Sequence, residues 1–233
     1  MPLDIKFEEH GIILSLITND SYNEELTGLV KQLSRHYRNI CYITTNTIYK
    51  VLVNDLLKNG IDANKFFFID GITKTSAQEP EKVENCIFVD APNSLTDISL
   101  NITRFLSLNR FDCFIFDSLS TLLIYDKSPT VTKFVHFLIE NFRHYNCSAV
   151  FTALESDKDS ELIKYIGLFV DKIHTTNKEF KEKISPEKIE KIKKLEKELE
   201  ALGQGYKAGF ISYESYKMGK ERIDKEVEKL GKK

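Results

Sequence analysis

Arg110-Phe111-Asp112-Cys113-Phe114-Ile115-Phe116-Asp117-Ser118-Leu119-Ser120 is the stretch on which the fold turns. Phe114 to Phe116 are aromatic or β-branched and do not alternate with polar residues, so they read as a strand buried on both faces. Strands of that kind lie in the middle of parallel sheets. The apolar run stops abruptly at an acid followed by a serine. Asp117 would then stand just past the carboxyl end of a central strand, where open α/β sheets place their ligands. The plainer alternative is a core strand that ends in a solvated aspartate.

Working outward, strand and helix patterns alternate on both sides of this segment. Residues 11–17 read as a buried strand. Thr18-Asn19-Asp20-Ser21 supplies N-cap residues for a helix with Leu26, Leu29, Val30 and Leu33 on its apolar stripe. Residues 40–44 are a second strand, and Thr45-Asn46-Thr47 opens a second helix that Gly60 ends. Residues 66–70 are a third strand. The polar stretch from Gly71 to Asn85, with Pro80, predicts a surface loop. Residues 86–90 are a short strand. Ser94-Leu95-Thr96-Asp97 has the form of a capping box ahead of a stripe of Leu95, Ile98, Ile102 and Phe105. After Asp117 the next helix is predicted from Ser128-Pro129, followed by a strand at 148–153, a helix at 161–167 and a last strand at 168–173. Alternation of this kind predicts an α/β domain with a parallel sheet covered on both faces.

Composition narrows the chemistry. The net charge of −2 is close to neutral. It is unevenly placed, because Lys178 to Lys233 holds 16 basic and 12 acidic residues, leaving a net of −6 on what precedes. An acidic core disfavours nucleic acid as a partner. No apolar run approaches the ~20 residues of a membrane-spanning helix, and Met1 to His10 lacks an apolar signal segment, so a cytoplasmic protein is expected. Cys41, Cys86, Cys113 and Cys147 are far apart and form no C-x-x-C pair. His10, His36, His136, His144 and His174 are scattered. Neither set has metal-ligand spacing, so no metal and no cofactor is expected.

The composition changes after Thr176. Pro186 opens a highly charged helix whose seam is Ile189, Ile192, Leu195, Leu199 and Leu202, predicted to end at Gly203 and Gly205. Ser212 caps a second helix with Tyr216, Ile223, Val227 and Leu230 at near-heptad spacing. Two seams joined by a glycine turn predict a helical hairpin. Such narrow seams need a further apolar surface, so self-association or docking to a protein partner through the hairpin is expected.

The order of elements from Ile12 to Ile173 resembles the RecA/KaiC-like ATPase domain. The strand ending in Phe116-Asp117-Ser118 resembles a Walker B strand, whose acid holds a magnesium-bound water in P-loop NTPases. Tyr42-Ile43-Thr44 and Phe67-Phe68-Ile69-Asp70 match in place. Glu84-Asn85-Cys86-Ile87-Phe88-Val89 leading into Pro92-Asn93-Ser94-Leu95-Thr96 is similar to archaeal KaiC-like proteins that have lost the ATPase motifs. Gly209-Phe210-Ile211-Ser212-Tyr213-Glu214 is similar to short oligomerisation hairpins of the SHOCT type. The resemblance implies a RecA-like three-layer sheet domain over residues 1–176 and a helical hairpin over 177–233.

Two motifs of that family are missing. A P-loop needs G-x-x-x-x-G-K-[ST] after the first strand, so that backbone N–H groups and a lysine close around phosphate. Here Thr18-Asn19-Asp20-Ser21-Tyr22-Asn23-Glu24-Glu25 has neither glycine nor lysine and carries three acids. The catalytic acids that the family places after the second strand are replaced by Thr45-Asn46. Only Asp117 and Ser118 survive. The expectation is therefore a non-hydrolysing pseudo-ATPase acting as a protein-binding, regulatory or scaffold module. The competing classes are an ATPase with a nonstandard or partner-completed nucleotide site, and an accessory subunit of a nucleic-acid-processing complex.

Overall fold

A computed structural model describes residues 11–75, 80–175 and 186–231. Met1 to His10 and Ser185 lie outside the described residues, as do the side chains of Ile189, Ile192, Val227 and Leu230. The chain forms two compact units, Met1–Phe180 and Lys181–Lys233.

The first unit is built on seven strands: β1 (Ile12–Ile17), β2 (Ile40–Thr44), β3 (Phe66–Asp70), β4 (Cys86–Phe88), β5 (Cys113–Asp117), β6 (Ser148–Leu154) and β7 (Lys172–Thr175). All pairings are parallel, in the order β4-β3-β2-β5-β6-β1-β7. One strand, β6, separates β1 from β5. Every residue of β1, β2 and β5 is buried, as expected of runs without alternation. On one face Tyr42 and Ile115 pack with Leu29, Val30 and Leu33 of α1 (Tyr22–His36) and with Leu52 and Leu56 of α2 (Tyr49–Lys58). On the other face the phenylalanines of the founding segment form an aromatic ladder. Phe114 meets Phe142 at 5.0 Å, and Phe116 meets Phe134 at 5.8 Å and Phe151 at 6.1 Å. Phe134 and Phe142 belong to α5 (Ser128–His144), which packs beside α3 (Leu95–Ser107). The four cysteines are buried free thiols.

Several local expectations need correction. Seven residues after Ser118 form a helix, α4 (Leu119–Tyr125), ahead of α5. Ser94 does not cap α3. Its hydroxyl accepts the Ala91 N–H instead (3.0 Å). Leu168-Phe169-Val170 is not strand. Its N–H groups bond back to Tyr165 and Ile166 carbonyls, so it continues the turn of α6 (Glu161–Ile166). Its apolar side chains are buried there, and pairing with β1 starts only at Lys172, opposite Ile13. Gly60 does end α2: it sits at φ +68°, with Ile61 N–H on Leu56 O and its own N–H on Leu57 O, the Schellman arrangement.

The second unit is a pair of helices, α7 (Pro186–Lys207) and α8 (Tyr213–Gly231). Gly203 and Gly205 do not end α7, which runs on to Lys207. The turn is made at Gly209, φ +75°. Ser212 caps α8 by accepting the Ser215 N–H (3.1 Å). Leu195 and Ile223 are buried, and Tyr206 stacks on Tyr216 at 5.3 Å. Gly219 allows a close approach, since a Cβ there would stand 2.6 Å from Leu202 Cδ1. Arg222 pairs with Glu198 across the hairpin. Part of the seam is thus closed within the hairpin itself. Among the described residues the exposed large apolar side chains of the hairpin are Tyr206, Phe210, Tyr213 and Met218.

Candidate functional site

Register brings the polar strand ends to one edge. Thr44 lies between Asp70 on β3 and Asp117 on β5, while Ser15 and Thr152 pair between β1 and β6. Thr45 pins the end of β5. Its N–H donates to Asp117 O (2.7 Å), its hydroxyl lies 3.1 Å from the Asp117 and Ser118 carbonyls, and Ser118 N–H donates to it (2.9 Å). The Asp117–Ser118 peptide is cis. Ser118 then caps α4, accepting Thr121 N–H at 3.4 Å.

Asp117 is 0% exposed. The solvated aspartate of the plainer reading is therefore excluded, and so is a carboxylate held by backbone N–H groups. Four side chains donate to it. Oδ1 takes the Tyr22 hydroxyl, the Thr152 hydroxyl (3.1 Å) and the Asn46 amide (3.3 Å), and Oδ2 takes the Tyr42 hydroxyl (2.7 Å). A carboxylate offers about four acceptor directions, two on each oxygen, so three donors crowd Oδ1, the Tyr42 hydroxyl takes Oδ2, and the whole group is buried among them. Burial raises its pKa above the ordinary aspartate value, and the donors from Tyr22, Tyr42, Thr152 and Asn46 oppose that rise. Burial, then the Asp117 charge, pushes the Tyr22 and Tyr42 phenols well up, so both keep their protons.

The segment after β1 is closed on itself. Asn19–Ser21 is a short 3-10 turn leading into α1. Glu25 reaches back from α1 and accepts from Thr18 N–H (3.3 Å) and the Ser21 hydroxyl (2.5 Å). A carboxylate of the chain thus takes one backbone N–H of the segment that stands where a P-loop would be. Asn19 bridges to Ser156 after β6 (3.2 Å), and Asp20 is exposed.

Asp70 is the second buried acid and has a purely local duty. It accepts N–H groups from Tyr49 (2.7 Å), Ile72 (2.6 Å) and Thr73 (2.8 Å) and the Thr73 hydroxyl. It caps α2 from a neighbouring strand, so Thr45-Asn46-Thr47 is not the cap.

The carboxyl edge opens into a cleft of about 410 Å³. Tyr22, Asn46, Ser118, Ser120 and Thr121 give it hydroxyl and amide groups, Leu123, Ile124 and Leu154 an apolar wall, and Asp157 its one charge. Among the described residues no lysine, arginine or histidine lines it. Of the residues expected from the sequence, Thr45, Asn46, Asp117 and Ser118 come together here. Thr18 and Ser21 are tied to Glu25, and Asn19 and Asp20 face outward. Tyr22, Tyr42, Thr152 and Asp157 were missed. Tyr42 and Thr152 carried a usable signal, since a hydroxyl inside a buried strand needs a partner.

The resemblance to RecA/KaiC-like ATPases would imply magnesium nucleotide, and these residues do not fit it. Glu25 takes the Thr18 N–H, no lysine, arginine or histidine lines the cleft among the described residues, and Asp117 is buried behind its four donors. Among the described residues no group of three or more His, Cys, Asp or Glu could hold a metal, and no helix is long and apolar enough to cross a membrane.

No protein-family model matches the sequence, and no curated protein matches it. Solved structures do. The KaiC-like protein PH0186 of the archaeon Pyrococcus horikoshii OT3 aligns with a TM-score of 0.53 at 11% identity, covering 75% of each chain. The uncharacterized protein PH0321 of Pyrococcus horikoshii, solved in complex with an unknown peptide, aligns with a TM-score of 0.57 at 14% identity over 74% of this chain and 79% of its own. The chain therefore has the RecA/KaiC-like α/β fold, extended by a pair of C-terminal helices.

Proposed function

We propose that this protein is a non-hydrolysing pseudo-ATPase, a KaiC-like domain that serves as a protein-binding, regulatory or scaffold module. The observation that carries the reading is the enclosure of the buried Asp117 by Tyr22, Tyr42, Thr152 and Asn46. An acid that holds a metal-bound water must present a lone pair to the open site, and here the carboxylate is fully buried behind its donors. A metal would have to displace a buried network, and each bond to a charged group is worth about 1.5–3 kcal/mol. Glu25, reaching from α1 to the loop after β1, adds like-charge repulsion against phosphate. That a neighbour in fold space was solved with a peptide lends weight to the protein-binding half of the reading. The hairpin supplies a second contact surface, through exposed Phe210, Tyr213 and Met218 at and beside its turn, and its proposed role is self-association or docking.

Thermal unfolding in the presence of Mg-ATP and Mg-ADP tests the reading. A ligand that binds only the folded chain raises the midpoint, by the equivalent of about 2.7 kcal/mol at a hundred times its Kd. We expect no shift at millimolar nucleotide. A concentration-dependent rise, with phosphate release, would replace the reading by an ATPase with a nonstandard site.

A further inference from the structure

The cleft beside Asp117 has a charge pattern opposite to that of a nucleotide site. Its one formal charge is the Asp157 carboxylate, and no cation lines it. Among the described residues none bonds or pairs with the Asp157 side chain. The Asn19–Ser156 bridge holds the loop after β1 against the loop after β6, and the residues following the two bridging ones are both acids, Asp20 and Asp157. Lys158, next along the loop, is not part of the wall. The apolar side is equally distinctive: Ile124 is 80% exposed, and Tyr125 beside it is 48% exposed. Large apolar side chains beside a concave surface mark a contact waiting to be covered. The polar groups are only half used. Asn46 turns its amide nitrogen to Asp117, which leaves its carbonyl oxygen for another donor. Ser120 accepts Leu154 N–H (2.8 Å) and keeps its own proton to give.

We infer that this cleft receives a peptide segment of a protein partner, an apolar side chain against Leu123, Ile124 and Leu154 with a neighbouring lysine or arginine against Asp157. Anionic ligands are repelled by the same carboxylate. A neutral apolar molecule would leave Asp157 unpaired but gain nothing from it. A cation on an apolar neighbour uses both halves of the wall, and the peptide's own N–H and C=O groups match the Asn46 carbonyl and the Ser120 hydroxyl. The inference rests on the protein-binding reading of the site and adds the chemistry of the partner.

Fluorescence anisotropy on the full chain tests it, with a labelled short peptide holding Leu between two Lys. A second peptide has Glu in place of both Lys. We expect saturable, salt-sensitive binding of the lysine peptide. A partly exposed ion pair is worth up to about 1 kcal/mol, so Asp157→Asn should weaken it by about fivefold. The glutamate peptide should bind more weakly still, and Ile124→Ser should weaken both. Circular dichroism checks that each variant is folded. No binding of the lysine peptide at millimolar concentration would overturn the inference. So would equal binding of the two peptides, or indifference to both substitutions. Mg-ATP is titrated in parallel: nucleotide binding would sink the pseudo-ATPase reading whatever the peptides do, whereas silence from peptide and nucleotide alike would sink this inference alone.

Discussion

Tyr42 and Tyr22 are not equivalent partners of Asp117. Among the described residues Tyr42 is the only side chain on Oδ2, whereas Tyr22 shares Oδ1 with Thr152 and Asn46. Tyr42→Phe leaves a buried oxygen without a donor, so we expect it to cost about 2–3 kcal/mol, against about 1 kcal/mol for Tyr22→Phe. Urea unfolding of the two variants measures the difference, and equal costs would mean that Oδ1 is not shared as described. The raised pKa of Asp117 gives a second test. An acid whose folded pKa lies above its unfolded value favours folding when protonated. That contribution fades as pH climbs from the ordinary aspartate value of about 3.9 towards the raised folded one. Asp117→Asn removes this slope. Over that window the wild type should lose stability relative to the variant as pH rises, and parallel pH profiles would contradict the assignment. At this scale the sequence was half legible. Asp117 stood out because an apolar strand ended on it. Its partners come from α1, β2 and β6, and no local pattern links residues 22, 42 and 152.

At the scale of elements, strands were easier to read than their junctions. β2 and β3 were legible to the residue, because a buried parallel strand is a continuous apolar run. β7 was misplaced, because Leu168-Phe169-Val170 is as apolar as a strand but is buried as a turn. The short helix α4 was missed since seven residues carry too little periodicity to be seen. The glycines of the hairpin show the same limit. Gly203 lies inside α7 with nothing within 4 Å of an added Cβ, whereas Gly209 is equally uncrowded but holds φ +75°. Alanine should therefore have opposite effects at the two places. Gly203→Ala should stabilise α7 by up to about 1 kcal/mol, and Gly209→Ala should cost about 1–2 kcal/mol through its left-handed backbone. Thermal unfolding followed by helical circular dichroism reads both, and shifts of the same sign would show that the turn is not where we place it.

For the whole molecule, the parallel sheet was implied by the alternation of elements but the strand order, with β6 between β1 and β5, was not, and the solved KaiC-like structure shares the fold. Sharing the fold says nothing of the chemistry, which depends on what stands at the carboxyl edge. There the chain supplies its own carboxylate, Glu25, to a loop that would hold phosphate, and its own hydroxyls and amide to the acid that would hold a metal-bound water. Self-association is a separate matter, and light scattering on the full chain and on one ending at Phe180 addresses it. We expect both to fold, because the last strand ends at Thr175, and only the longer to associate. Equal masses would move the partner surface away from the hairpin. The central claim is that Glu25 and the donors around Asp117 leave no place for magnesium nucleotide at the carboxyl edge. Isothermal titration of the full chain with Mg-ATP measures it most directly. We expect only heats of dilution up to millimolar nucleotide, and a saturable isotherm below that concentration would contradict the account.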